Sequence, residues 1–234
     1  MDYMILRQKY KRFLGIVFFI LTVSVATNFF LYINYNYLEE VSYKDASLTD
    51  NELYAYEYGV SDIEDIMDEY RNELIYLKTE NYKKLTREER LAYLDVLLEC
   101  SLNALGCGQD ITLISEAMDD NINGYFDGNN MLIALNDDRL MQDNPAECIC
   151  AVLHESYHAY QYECVRYMKD NNISDNLLYY EIRQWDYEFV YYKDINRGST
   201  VEEYKKYRSQ WCESSAFHYE LQWRDFVIEY IEKI

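Results

Sequence analysis

Apolar positions recur at three- and four-residue steps from Ser61 onward, and Ile63, Ile66, Met67, Tyr70, Leu74 and Leu77 predict a helix. A second helix opens at Thr86, whose hydroxyl can cap the first turn while Glu89 reaches back in a capping box. Its stripe runs through Leu91, Leu94, Leu97 and Leu98 and ends near Gly106-Cys107-Gly108. Two strand-like runs follow, Ile111–Met118 and Met131–Leu135. The turn signals Asn123-Gly124 and Asp127-Gly128-Asn129 lie between them, which predicts a small antiparallel sheet. Asn144 then caps a helix with Pro145 in its first turn and Glu147 at the capping-box position, continuing to about Met168. Further helices are expected over about 175–192 and from Ser199 or Thr200 to about Tyr230.

The N-terminal pattern is different. Phe13 to Tyr32 is an uncharged, mostly apolar run, long enough to cross about 30 Å of hydrocarbon as a helix. Arg7, Lys9, Lys11 and Arg12 stand against Asp2 before it, and the acidic remainder follows. The positive-inside rule then places residues 1–12 in the cytoplasm, 13–34 in a lipid bilayer as a single-pass anchor, and the rest outside the cytoplasm. A cleaved signal peptide with secretion is the alternative, because Ser24-Val25-Ala26 forms a small-x-small cleavage site. Residues 35–60, polar and Tyr-rich, read as a linker, and 61–234 as the folded domain. The expected fold class is α+β, mostly helical, with the small sheet, preceded by one transmembrane helix.

Composition sharpens this reading at two points. The chain has 234 residues, half of them apolar, with one Pro and 7 Gly, which favours long helices around a sizeable core. Its net charge is −20 although the N-terminal tail is net positive, so phosphate backbones repel the acidic domain and nucleic acid is not an expected partner. The 6 Cys form no C-x-x-C spacing, so neither a thiolate metal knuckle nor a thioredoxin-like site is indicated. Cys148, Cys150, Cys164 and Cys212 fall on expected helices, where a buried thiol is the common state. Cys100 and Cys107 could close a small loop, a pairing the sequence leaves open.

The chemistry concentrates at His154-Glu155-Ser156-Tyr157-His158, which holds two of the chain's 3 His. Histidines four apart on a helix project from one face and can take two corners of a zinc tetrahedron. Glu155 points to the side, where it can take a proton from a zinc-bound water. Asp119-x-Asn121-x-Asn123-Gly124 matches the opening of an EF-hand loop, but its twelfth position is Asn130 rather than Glu, and a hairpin turn is the better reading.

Leu153-His154-Glu155-Ser156-Tyr157-His158-Ala159-Tyr160-Gln161, followed by Tyr207, Gln210, Glu213 and Ala216, resembles the gluzincin group of zinc metallopeptidases over about 86–225. The resemblance implies a zincin-like domain, Zn2+ as cofactor, peptide or protein substrates, and a Glu-x-x-Ala helix that supplies the third ligand as Glu213. Glu202, Glu203 and Glu220 lie on the same expected helix, while the metzincin pattern is excluded by Gln161 and Cys164. Ser215 and Phe217 stand where relatives often carry an acidic partner, so the group orienting His154 or His158 is unassigned. His218 is a candidate for holding an oxyanion or supporting a ligand, with an ordinary core or surface histidine as the alternative. Relatives add an extended substrate to the edge of the small sheet, which here points to Met131, Leu132, Ile133, Ala134, Leu135 and Asn136. The contrasting expectation is a non-catalytic, membrane-anchored binding protein that keeps the fold.

Overall fold

A computed structural model describes residues 63–108, 110–172, 180–195 and 199–234. The tail 1–12, the apolar run 13–34 and the linker 35–60 lie outside the described residues. Among the described residues no helix is long and apolar enough to cross a membrane.

The first apolar stripe forms α1 (Ile63–Glu69) and α2 (Arg71–Leu74), with a short 3-10 turn over Ile75–Leu77. Tyr70 separates the two helices, and Met67, Leu74 and Leu77 stay fully buried across the break. A single turn, α3 (Thr79–Tyr82), leads into α4 (Arg87–Ala104). The expected capping box closes at its start, where the Glu89 amide donates to Thr86 Oγ1 and the Thr86 amide to Glu89. Gly106, at a φ of 65°, ends the helix in the left-handed region where a Cβ is disfavoured.

Strands β1 (Thr112–Glu116), β2 (Gly124–Asp127) and β3 (Leu132–Asn136) form a sheet in the order β1-β3-β2. The sheet is mixed, not antiparallel: β1 and β3 run parallel with Thr112 opposite Leu132, and β2 runs antiparallel to β3 with Phe126 opposite Ile133. The turn-rich stretch between the two expected strands contains the third one. Its chain reversal lies at Gly128–Met131, where Asp127 Oδ1 accepts from the amides of Asn129 and Asn130. The substrate-edge expectation for Met131, Leu132, Ile133, Ala134, Leu135 and Asn136 is corrected accordingly. β3 is the central strand, its backbone groups are engaged by both neighbours, and Ile133 to Asn136 are buried. Only β1 and β2 have an outer side.

After one turn, α5 (Asp137–Leu140), comes the long α6 (Ala146–Asp170). Asn144 Oδ1 accepts from the Ala146 amide as expected, but Glu147 does not complete a capping box and pairs with Arg139 at 3.1 Å. Helix α6 is the axis of the domain. It packs against α4, β2 and β3, and also against α7 (Tyr180–Val190) and α9 (Trp211–Lys233). Burial on several faces explains why Cys148, Val152, Leu153, Ser156 and Ala159 are all sequestered.

The last long helix of the sequence reading is two helices. α8 (Val201–Arg208) opens with a second capping box between Thr200 and Glu203, and α9 begins after Ser209 and Gln210. Gln210 adopts an extended conformation (φ −62°, ψ 140°), so the chain turns and Glu213 falls in the first turn of α9.

Candidate metal centre

Two helices and one break build the site. On α6 the four-residue spacing brings the rings of His154 and His158 to 4.9 Å between centroids. On α9 the break at Gln210 starts the helix so that Glu213 points into the same space, fully buried. The amides of a helix's first turn carry partial positive charge, which favours a carboxylate there. Glu188 of α7 satisfies one of them, accepting from the Cys212 amide at 2.7 Å.

The three side chains converge. His154 Nε2 lies 3.2 Å from His158 Nε2 and 3.4 Å from Glu213 Oε2, and His158 Nε2 lies 3.3 Å from Glu213 Oε1. The two carboxylate spacings fall on different oxygens, but with one ligand atom from each residue the three still lie within 4.8 Å of one another, close enough for one ion to be shared. The ring orientations argue the same way. His158 Nδ1 faces Gln161 Oε1 at 2.7 Å, and the orientation of that amide is set at its other end, where Nε2 donates to the Cys212 carbonyl and to Ser215 Oγ. His154 Nδ1 faces Glu220 Oε2 at 3.3 Å. With Gln161 behind one ring and Glu220 behind the other, the Nε2 atoms of both rings are the ones that face Glu213. Glu213 Oε2 is buried there without a hydrogen-bond partner. The donor set therefore fits a cation, and His154, His158 and Glu213 are the residues that could hold it.

The charges are coupled. Burial disfavours a charged His154, but the carboxylates of Glu213 and Glu220 outweigh it and push its pKa up to about 10. Burial likewise works against the Glu213 carboxylate, but both histidines hold it well below the usual carboxylate range. Glu155 is pushed up by burial, although His154 and His158 oppose the shift. Its carboxylate accepts from the Phe126 amide of β2. Ladder alternation puts that amide on the side of β2 away from β3, because the Asn136 amide donates to the Asn123 carbonyl three positions before Phe126, an odd number of steps along the ladder. The outer side of β2 is thus the strand edge that meets Glu155.

Two phenols close the far side. Tyr192, in the segment after α7, donates to Glu213 Oε1, and Tyr207 of α8 also hydrogen-bonds Glu213. Burial raises both phenol pKa values, and the Glu213 charge raises them further. Phe217 sits edge-on against His154 at 4.4 Å, and Arg208 stacks 3.8 Å over the Phe217 ring, docking the end of α8 above the cluster.

Of the residues singled out in the sequence, His154, Glu155, His158 and Glu213 come together, whereas His218 is exposed and makes no hydrogen bond or ion pair with the cluster among the described residues. The partners the sequence left unassigned are Glu220 for His154 and Gln161 for His158. Both had a signal in their spacing, since Glu220 lies two turns beyond Glu213 on one helix face and Gln161 one turn beyond His158. Tyr192 had none, because its place depends on the break before α9. No protein-family profile matches the chain, and no match was found among curated proteins or solved structures.

Proposed function

We propose that this chain is a membrane-anchored zinc metallopeptidase whose catalytic domain lies outside the cytoplasm. The observation that carries the reading is the convergence of His154 Nε2, His158 Nε2 and Glu213 at separations of 3.2–3.4 Å, with Glu155 beside them. Two imidazoles and a carboxylate suit Zn2+ and leave a fourth position for water. When bound, the metal supplies a polarised carbonyl and a water acidic enough to attack it. Glu155 serves as the general base and passes the proton to the leaving amine; its raised pKa suits a group that must both take and give a proton. To the Tyr207 phenol, which hydrogen-bonds Glu213 and senses the Glu155 charge, we assign the stabilisation of the developing oxyanion, the role first considered for His218. The outer side of β2, rather than β3, is the edge for an extended peptide. The anchor rests on the apolar run 13–34 and its basic flank.

The near-complete burial of the three ligands (6%, 9% and 0% exposed) supports one second reading, a non-catalytic protein that keeps the metal as a structural centre. Hydrolysis of a peptide library by the full chain in detergent separates the two. Wild type is expected to cleave, and Glu155→Gln to lose about 10²–10⁴-fold in rate with its metal content unchanged. Equal rates in both proteins, or none in either, would leave the structural centre as the account.

A further inference from the structure

We propose that Tyr192 is a positioning residue for the third metal ligand: its hydroxyl pins Glu213 Oε1, so that Glu213 meets the metal through Oε2 alone. The inference rests on the metal site proposed above and adds a residue that neither the His-Glu-x-x-His helix nor the Glu213 helix contains.

Tyr192 is an odd residue to find bonded to a buried ligand. Its side chain is large and aromatic, yet the residue is 42% exposed, so core packing does not account for its place. Its hydroxyl reaches inward and donates to Glu213 Oε1, which belongs to a fully buried residue. The two carboxylate oxygens are thereby made unequal. Oε1 carries the phenol's hydrogen bond and lies 3.3 Å from His158 Nε2, whereas Oε2 is buried with no hydrogen-bond partner and lies 3.4 Å from His154 Nε2. A carboxylate gripped at one oxygen binds a cation through the other, which keeps the coordination number low and a position open.

The backbone around Tyr192 is fixed in a way that serves this contact. The side chain of Gln210, itself 5% exposed, clamps the next residue from both sides. Its Oε1 accepts from the Lys193 amide at 2.7 Å and its Nε2 donates to the Lys193 carbonyl at 3.0 Å. Gln210 also precedes the first turn of α9, the turn that carries Glu213. One side chain therefore sets the distance between the Tyr192 backbone and the Glu213 backbone. Tyr192 further packs edge-on against Tyr207 at 6.2 Å, which orients the phenol ring.

The test uses the full chain in detergent with Zn2+ and Co2+ as probes. Zinc affinity is measured by competition with a chromophoric chelator, and the Co2+ form by its visible absorption, for wild type, Tyr192→Phe, Gln210→Leu and His158→Ala. Tyr192→Phe removes only the hydroxyl and is expected to keep one metal per chain, bound about 10–100-fold more weakly. Its Co2+ bands should lose intensity as Glu213 becomes bidentate and the coordination number rises. Gln210→Leu should reproduce the weaker affinity through the released segment. Wild-type affinity and spectrum in both variants, with His158→Ala unable to bind, would overturn the role of Tyr192 and leave the metal site standing. Absence of stoichiometric metal in wild type would overturn both.

Discussion

Gln161 holds His158 from behind and ties the two site helices together. Its Oε1 lies 2.7 Å from His158 Nδ1 on α6, while its Nε2 donates at 3.0 Å to the Cys212 carbonyl and at 2.9 Å to Ser215 Oγ on α9. A single fully buried amide thus fixes the tautomer of one proposed ligand and the position of the helix that carries another.

Removing that amide should be felt twice. Gln161→Ala is expected to weaken zinc binding about 10–100-fold. It should also destabilise the metal-free protein by about 1–3 kcal/mol, since the Cys212 carbonyl and the His158 ring lose a buried partner. Gln161→Glu keeps an acceptor for His158 and should retain more of the affinity than of the stability. Chelator competition and thermal melting in chelator read the two effects separately, and unchanged values in Gln161→Ala would remove this residue from the account.

Metal uptake should release a proton. The pKa of His154 is raised above its ordinary value to about 10 by Glu213 and Glu220, so between pH 7 and 9 the metal-free ring is charged. A metal can take only the neutral imidazole, so about one proton per chain leaves as it binds. Affinity should accordingly rise with pH across this window, because the free state is the one that holds the extra proton. Calorimetric titration in buffers of different ionisation enthalpy measures the released proton, and Glu220→Gln should reduce it by removing one of the two carboxylates. A titration with no buffer dependence would contradict the assignment.

Gly124 is needed for space rather than for backbone freedom. A Cβ there would stand 2.8 Å from the Ala134 carbonyl oxygen and 3.6 Å from the Ala151 Cβ on α6. Gly124→Ala should push β2 away from β3 or α6 and cost about 1–3 kcal/mol. Because the same strand brings the Phe126 amide to Glu155, activity should fall further than stability alone explains. A melting temperature equal to wild type would show that β2 yields without cost.

How legible the molecule was follows from which relationships are local. His154, Glu155 and His158 lie within one helical repeat, so their shared face could be read directly. The capping box at Thr86 was equally visible, because a cap depends on residues three apart, whereas the one at Thr200 went unread. The sheet was only half visible. β2 offers just Tyr125 and Phe126 between turn residues, and strand order is set by which edges pack on α6, a long-range matter absent from the period of the sequence. The break at Ser209–Gln210 was hidden for a related reason. Neither residue is a strong helix breaker, and the extended conformation of Gln210 accompanies its side-chain bonds to Lys193, 17 positions earlier. Glu213 was therefore reached from a resemblance, whereas the physical cause of its position is that break. The cysteines divide too: Cys148 and Cys212 are buried as expected of helix-borne thiols, with burial pushing the Cys148 thiol up to about 12, whereas Cys150 and Cys164 are only half-buried.

The central claim is that His154, His158 and Glu213 form one metal site. The measurement that tests it most directly is the metal content of the freshly purified full chain in detergent, beside His158→Ala and Glu213→Ala. The account predicts about one zinc per chain in wild type and its loss in both variants. Folded wild-type protein that neither carries nor takes up zinc would contradict it.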